Sequence, residues 1–243
     1  MKPFLLLQHR YLDEAADNEY ESVLKYGELT PDSLVRIRME RESIPALDLG
    51  AFSGIITGGG PSNVSDPEAE KQPEQCRFER ELDTMYDQIF ELDFPYLGLC
   101  YGMGSITRYL GGSVSKEKYG EEAGPVTIFR NPDETDPILK GIPAEFRAFA
   151  GHKEACQQLP GGTVLLASSE ACPVQMIRAQ KNIYATQFHP ELDVEGILLR
   201  LTVYNNHGYF AADQAEALFA QIRKEHMVYP PKILHNFISI HAK

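Results

Sequence analysis

Residues 94–104 read FPYLGLCYGMG. An apolar run, Tyr96–Leu99, ends on a cysteine that has a glycine two positions away on each side. The run predicts a buried strand, and the residues beyond it predict a helix from about Met103 to Leu110 that stops at Gly111-Gly112. Cys100 therefore stands on a sharp strand-to-helix turn. Such a turn strains its central residue and displays that side chain above a sheet, while nearby glycines relieve crowding. It also puts the sulfur at the positive end of a helix dipole, which favours an anionic sulfur. The competing reading is a buried structural cysteine, which is what most free cysteines are. A nucleophile here needs a base.

Working outward, strand-like and helix-like segments alternate. Pro3–Gln8 (PFLLLQ), Ser33–Met39 (SLVRIRM) and Ser53–Thr57 (SGIIT) read as strands, and Asp13–Gly27 and Cys76–Leu92 as helices. This order predicts an α/β fold with a mostly parallel sheet, whose ligands bind beyond the carboxyl ends of the strands. The second half is richer in strands: Thr163–Ser169, Val174–Gln180 and Ile183–His189, the last two joined by a tight turn at Lys181-Asn182. Asp213 and Glu216 form a potential capping box, and Pro230-Pro231 suit the start of a closing helix. Ser62–Gln75 is polar with two prolines and reads as a mobile surface loop. With no repeat and no long linker, residues 1–243 are expected to form a single domain, with helices after 194.

The chain has 243 residues, 43% hydrophobic and 24% charged, enough to bury a core without staples. Its net charge of −12 argues against a nucleic-acid binder, which needs a basic footprint. The four cysteines show no CxxC spacing, so they read as free thiols in a reducing compartment, with no metal site. The apolar stretch in MKPFLLLQHRYLDE is too short for a signal peptide, and no later run is long enough to span a membrane. A soluble, cytoplasmic protein is expected.

ATQFHPELD (185–193) offers the base. Residues two apart on an extended segment share a side, so His189 and Glu191 can lie together, and Pro190 keeps His189 extended. A cysteine, a histidine and an orienting carboxylate are a known way to activate a nucleophile. A His-Pro-Glu triplet by itself is more often an ordinary loop. TGGGPSN (57–63) follows another predicted strand, so its amides can face the same crevice as an oxyanion hole. A phosphate loop is the rival reading, but no Gly-Lys-Ser/Thr follows and no G-x-G-x-x-G spacing is present.

Together the Gly-Gly-Pro loop, the Gly-x-Cys-x-Gly turn and His-Pro-Glu resemble the class I (triad-type) glutamine amidotransferases, particularly the glutaminase domain of GMP synthetase and its stand-alone relatives. The resemblance runs from about Ser53 to Asp193. It implies a three-layer α/β/α, flavodoxin-like fold that needs no cofactor. By motif position it makes Cys100 the nucleophile, His189 the general acid and base, and Glu191 its orienter. It places the oxyanion hole at the backbone of Gly60 and Tyr101, and the substrate at Gly59, Gly104, His152 and Gln187. The substrate it implies is L-glutamine or another γ-glutamyl compound. No adenylating loop of the S-G-G-x-D-S kind is present, so any ammonia acceptor would be a separate synthetase subunit. Two positions depart from the family pattern. Gly104 stands where relatives carry glutamine, which implies a roomier pocket. In AGHKEAC, a predicted loop, Lys153-Glu154 replaces Gly-Asp. A γ-glutamyl hydrolase or peptidase with the same three residues, or a catalytically silent regulatory partner, are the alternatives.

Overall fold

The computed structural model describes residues 1–132, 135–204 and 215–243. Its centre is a nine-stranded sheet. The first strand, β1 (Phe4–Gln8), is wholly buried, as an apolar run with both faces covered must be. It pairs in parallel with β2 (Leu34–Arg38) on one side and β3 (Gly54–Thr57) on the other. Next come β4 (Tyr96–Leu99) and β11 (Ile183–Thr186), also parallel. The order β2-β1-β3-β4-β11 is the 2-1-3-4-5 arrangement of flavodoxin-like sheets.

Alternation along β1 sets the layers. Phe4 and Leu6 face a core closed by α1 (Asp13–Gly27) and the last helix, α6 (Pro230–His241), which contribute Val23 and Phe237. Leu5 and Leu7 face the opposite core, with Phe78, Leu82 and Tyr86 of α2 (Pro73–Leu92) and Ile106 of α3 (Tyr101–Tyr109). Beyond β11 the sheet turns antiparallel through β10 (Met176–Ala179), β9 (Thr163–Ser169), β6 (Glu121–Arg130) and β7 (Glu145–His152). A ribbon of β5 (Ser113–Ser115) and β8 (Ala155–Gln158) lies apart from it. Helices α4 (Val194–Val203) and α5 (Ala215–Ile222) pack on β6 through Ile197, Leu201 and Ile222.

Several expectations are corrected. Strands β5 to β8 had no counterpart in the sequence reading, and AGHKEAC is the end of β7 running into β8, not a loop. Helix α2 begins at Pro73, three residues before Cys76, because proline suits a first helical turn. Helix α3 begins directly after Cys100. The Ser62–Gln75 segment is anchored, with Val64 buried and the Val64 and Ser65 N–H groups donating to the Glu154 carboxylate at 2.7 and 2.8 Å. Strand β11 stops at Thr186, short of His189. Glu216 lies in the first turn of α5; Asp213, its expected capping partner, and His207 lie outside the described residues. No helix among the described residues is long and apolar enough to cross a membrane.

Candidate active site

The parallel strands deliver their carboxyl ends to one rim, and the predicted residues gather there. Cys100 follows β4 with φ 51° and ψ −90°, a left-handed backbone that is costly for any residue but glycine. The glycine on its helix side explains how the turn fits. A Cβ on Gly102 would lie 2.9 Å from the Thr57 carbonyl oxygen at the end of β3. The Cys100 N–H donates to the Thr186 carbonyl at 2.7 Å, tying the turn to β11. The N–H of Tyr101, in the first turn of α3, has no intrahelical acceptor.

Three residues past β11, His189 is fixed by its backbone N–H donating to the Phe149 carbonyl at 2.9 Å. Its Nδ1 lies 2.8 Å from Glu191 Oε1, which leaves Nε2 for the thiol. Burial depresses the imidazole's proton affinity. The Glu191 carboxylate first, and the neighbouring Cys100 sulfur with it, outweigh burial and raise the pKa to about 9. Burial likewise opposes ionisation of Glu191, yet His189 and Arg200 hold its carboxyl well below the usual range. Gln187 Nε2 approaches the Cys100 sulfur at 3.7 Å. A protonated imidazole beside a sulfur is the arrangement that makes a thiolate nucleophile at neutral pH.

The glycine loop after β3 threads between two imidazoles. A Cβ on Gly59 would lie 2.7 Å from His189 Cε1, and one on Gly60 would lie 2.1 Å from His9 Nε2. Neither position can carry a side chain while those rings stay put, which is why the loop reads Gly-Gly.

Two crevices meet at Cys100, sharing Gly60, Cys100 and Gly151. The polar one is lined by Ser62, Asn63, Gly104, His152, Glu154 and Gln187. All the predicted substrate residues except Gly59 lie on it. His152 is buried, with Nδ1 2.9 Å from the Glu154 carbonyl and Nε2 2.8 Å from Glu121. The roomier pocket expected at Gly104 is not there. A Cβ on Gly104 would meet Glu154 Oε1 at 3.2 Å and Val64 Cγ2 at 3.3 Å. The two departures from the family pattern thus compensate: the longer acid at 154 fills space that a side chain at 104 would take. Burial pushes the Glu154 carboxyl upward.

Sequence reasoning missed three residues at this site. Arg200 Nη1 donates to the same Glu191 oxygen that holds His189, at 2.7 Å. A single cation in the mostly apolar helix VEGILLRLTV was its signal. Arg10 pairs with the buried Glu19 at 2.7 Å. His9 packs 4.1 Å from the Tyr101 ring, centroid to centroid. Both directly follow the carboxyl end of β1, the place the parallel-sheet rule marks for ligands.

This fold and rim belong to a recognisable class. Residues 23–196 match the family described as Glutamine amidotransferase class-I, and the chain belongs to that family. It is similar to the glutamine-hydrolysing GMP synthase of Bacillus velezensis, 35% identical over 171 residues, covering 69% of this chain and 28% of that protein. The corresponding enzyme of Dehalococcoides mccartyi is 36% identical over 139 residues, 57% of this chain and 23% of that protein. The chain thus spans under a third of these relatives. In fold it resembles a glutamine amidotransferase of Thermotoga maritima, with TM-score 0.79, 18% identity and 99% and 98% of the two chains covered. It also resembles one of Methylobacillus flagellatus, with TM-score 0.74, 17% identity and 98% and 95% covered.

Proposed function

We propose that the chain is the glutaminase part of an amidotransferase, splitting the γ-amide of glutamine into glutamate and ammonia. The observation that carries this reading is the hydrogen-bonded His189–Glu191 pair beside Cys100, on one crevice with the strained turn after β4. Cys100 Sγ attacks the γ-carbonyl carbon, and the N–H groups of Gly60 and Tyr101 receive the oxyanion. His189 gives its proton to the departing nitrogen as the C–N bond breaks, leaving a γ-glutamyl thioester. Water then attacks the thioester and passes a proton to His189. Glutamate leaves and the thiolate returns. The γ-glutamyl portion occupies the polar crevice. Ammonia passes to a synthetase, a reading supported by the similarity to glutamine-hydrolysing GMP synthases.

A second reading, hydrolysis of γ-glutamyl peptides, is favoured by the further crevice on the His189 side, which exceeds what ammonia requires. The connected residues at Cys100 disfavour a silent regulator. The test is glutamate release from L-glutamine and from a γ-glutamyl dipeptide, beside Cys100→Ala. Glutamine turnover lost in the variant is expected. Turnover of the dipeptide alone establishes the second reading, and turnover of neither removes constitutive catalysis.

A further inference from the structure

Besides His189 and the three residues it shares with the polar one, the second crevice is lined chiefly by Arg10, Leu192, Ile197, Arg200, Leu201 and Tyr204. It encloses about 50 Å³, room for a few water-sized groups, and opens to solvent beyond that. Because it contains His189, the proton donor to the departing nitrogen, it lies on the leaving-group side of the scissile bond. Ammonia is no larger than water and leaves such a space unfilled.

Besides Cys100 and His189, its polar groups are the Tyr204 hydroxyl and two arginines, each arginine more than nine-tenths buried. Arg10 is paired with Glu19. Arg200 donates through Nη1 to Glu191 and through Nε to Asn18 Oδ1 at 3.1 Å, but its Nη2 has no acceptor among the described residues. A buried guanidinium nitrogen without an acceptor is costly and calls for one. Burial and the nearby Arg10 pull the Arg200 guanidinium below its ordinary value, while Glu191 and Glu19 partly offset them. Guanidinium forks match carboxylates in shape and charge, and the aliphatic wall opposite suits a small side chain.

We infer that this crevice is a subsite for the amine half of a γ-glutamyl amide, and that Arg10 and Arg200 receive the carboxylate of an amino acid linked through its nitrogen. The inference rests on the cysteine–histidine chemistry proposed above and names the substrate class: γ-glutamyl-α-amino acids. Bond changes are those of glutamine hydrolysis, with a free amino acid leaving in place of ammonia.

The test separates binding from turnover. Cys100→Ala protein is titrated calorimetrically with L-glutamine, γ-glutamylglycine and γ-glutamylmethylamide, the last two differing in the carboxylate. The dipeptide is expected to bind about tenfold or more tightly than the methylamide, the worth of a charge-assisted hydrogen bond. Adding Arg10→Gln, or Leu201→Trp to fill the crevice without touching a charge, is expected to bring that ratio close to one. Equal affinities in the Cys100→Ala parent, the result for a mere ammonia passage, overturn the subsite and leave the glutaminase standing. A preference that persists in both added variants overturns the assignment to this crevice. Failure of all three ligands to bind overturns the γ-glutamyl reading itself, and the subsite with it.

Discussion

Two buried imidazoles sit under adjacent glycines of one loop and have opposite proton affinities. His189, beneath Gly59, is raised to about 9. His9, beneath Gly60, is lowered to about 3, by burial first and the neighbouring Arg10 second. Both are buried, and burial lowers the proton affinity of each, so burial alone does not distinguish them. The difference is the partner. His189 has a carboxylate on Nδ1, whereas neither ring nitrogen of His9 has a hydrogen-bond partner among the described residues. One ring is fitted to carry protons. The other is a neutral wedge holding Gly60 and Tyr101 in place.

The comparison breaks most completely when His189 loses its partner. Glu191→Gln keeps the shape but removes the charge, and kcat is expected to fall about a thousandfold or more, measured as glutamate release. Next comes Gly60→Ala, which drives a methyl group into His9 and is expected to cost about a hundredfold in kcat/KM by displacing an oxyanion donor. Adding His9→Ala makes room, and recovery of part of that loss would show that the ring was the obstruction. The pH profile is a milder probe. As pH rises through about 9, His189 loses its proton and with it the general acid, so kcat/KM is expected to fall roughly tenfold per unit.

Stability gives the smallest effects and the sharpest contrast. The folded His189 value lies above 6.5, so its contribution is full below pH 6.5 and is lost as pH rises through about 9. The folded His9 value lies below 6.5, so its contribution is present above pH 6.5 and is lost as pH falls toward about 3. Melting temperatures across pH 4–10 are expected to decline on both flanks, with Glu191→Gln flattening the alkaline flank and His9→Asn the acid one.

The parallel half of the sheet was legible because each strand is a compact apolar run bounded by turn residues, as in PFLLLQ and SGIIT. In the antiparallel half β9 and β10 were legible too, but β6 and β7 were not. Strand β6, EEAGPVTIFR, contains glycine and proline and opens with two acids, features that argue against a strand until Glu121 is seen bonded to His152 and Ser169. Cys100, His189 and Glu191 could be read because local spacing puts each where its chemistry needs it. Arg10 and Arg200 act across the fold, from after β1 and from α4, and no spacing links them. Glu154 was read as a departure, but its meaning depends on Gly104, fifty positions away.

Strand β11 enters the middle of the sheet, between β4 and β10, though it is the last strand made. The histidine after it comes to a cysteine synthesised long before, as Gln187 does to the same sulfur across 87 residues of chain. On a ribosome adding about 5–20 residues per second, the thiol exists for about 5–20 s before its base has been synthesised. For that interval the nascent protein therefore carries Cys100 without His189, and the hydrolysis proposed above waits until the central gap in the sheet is filled.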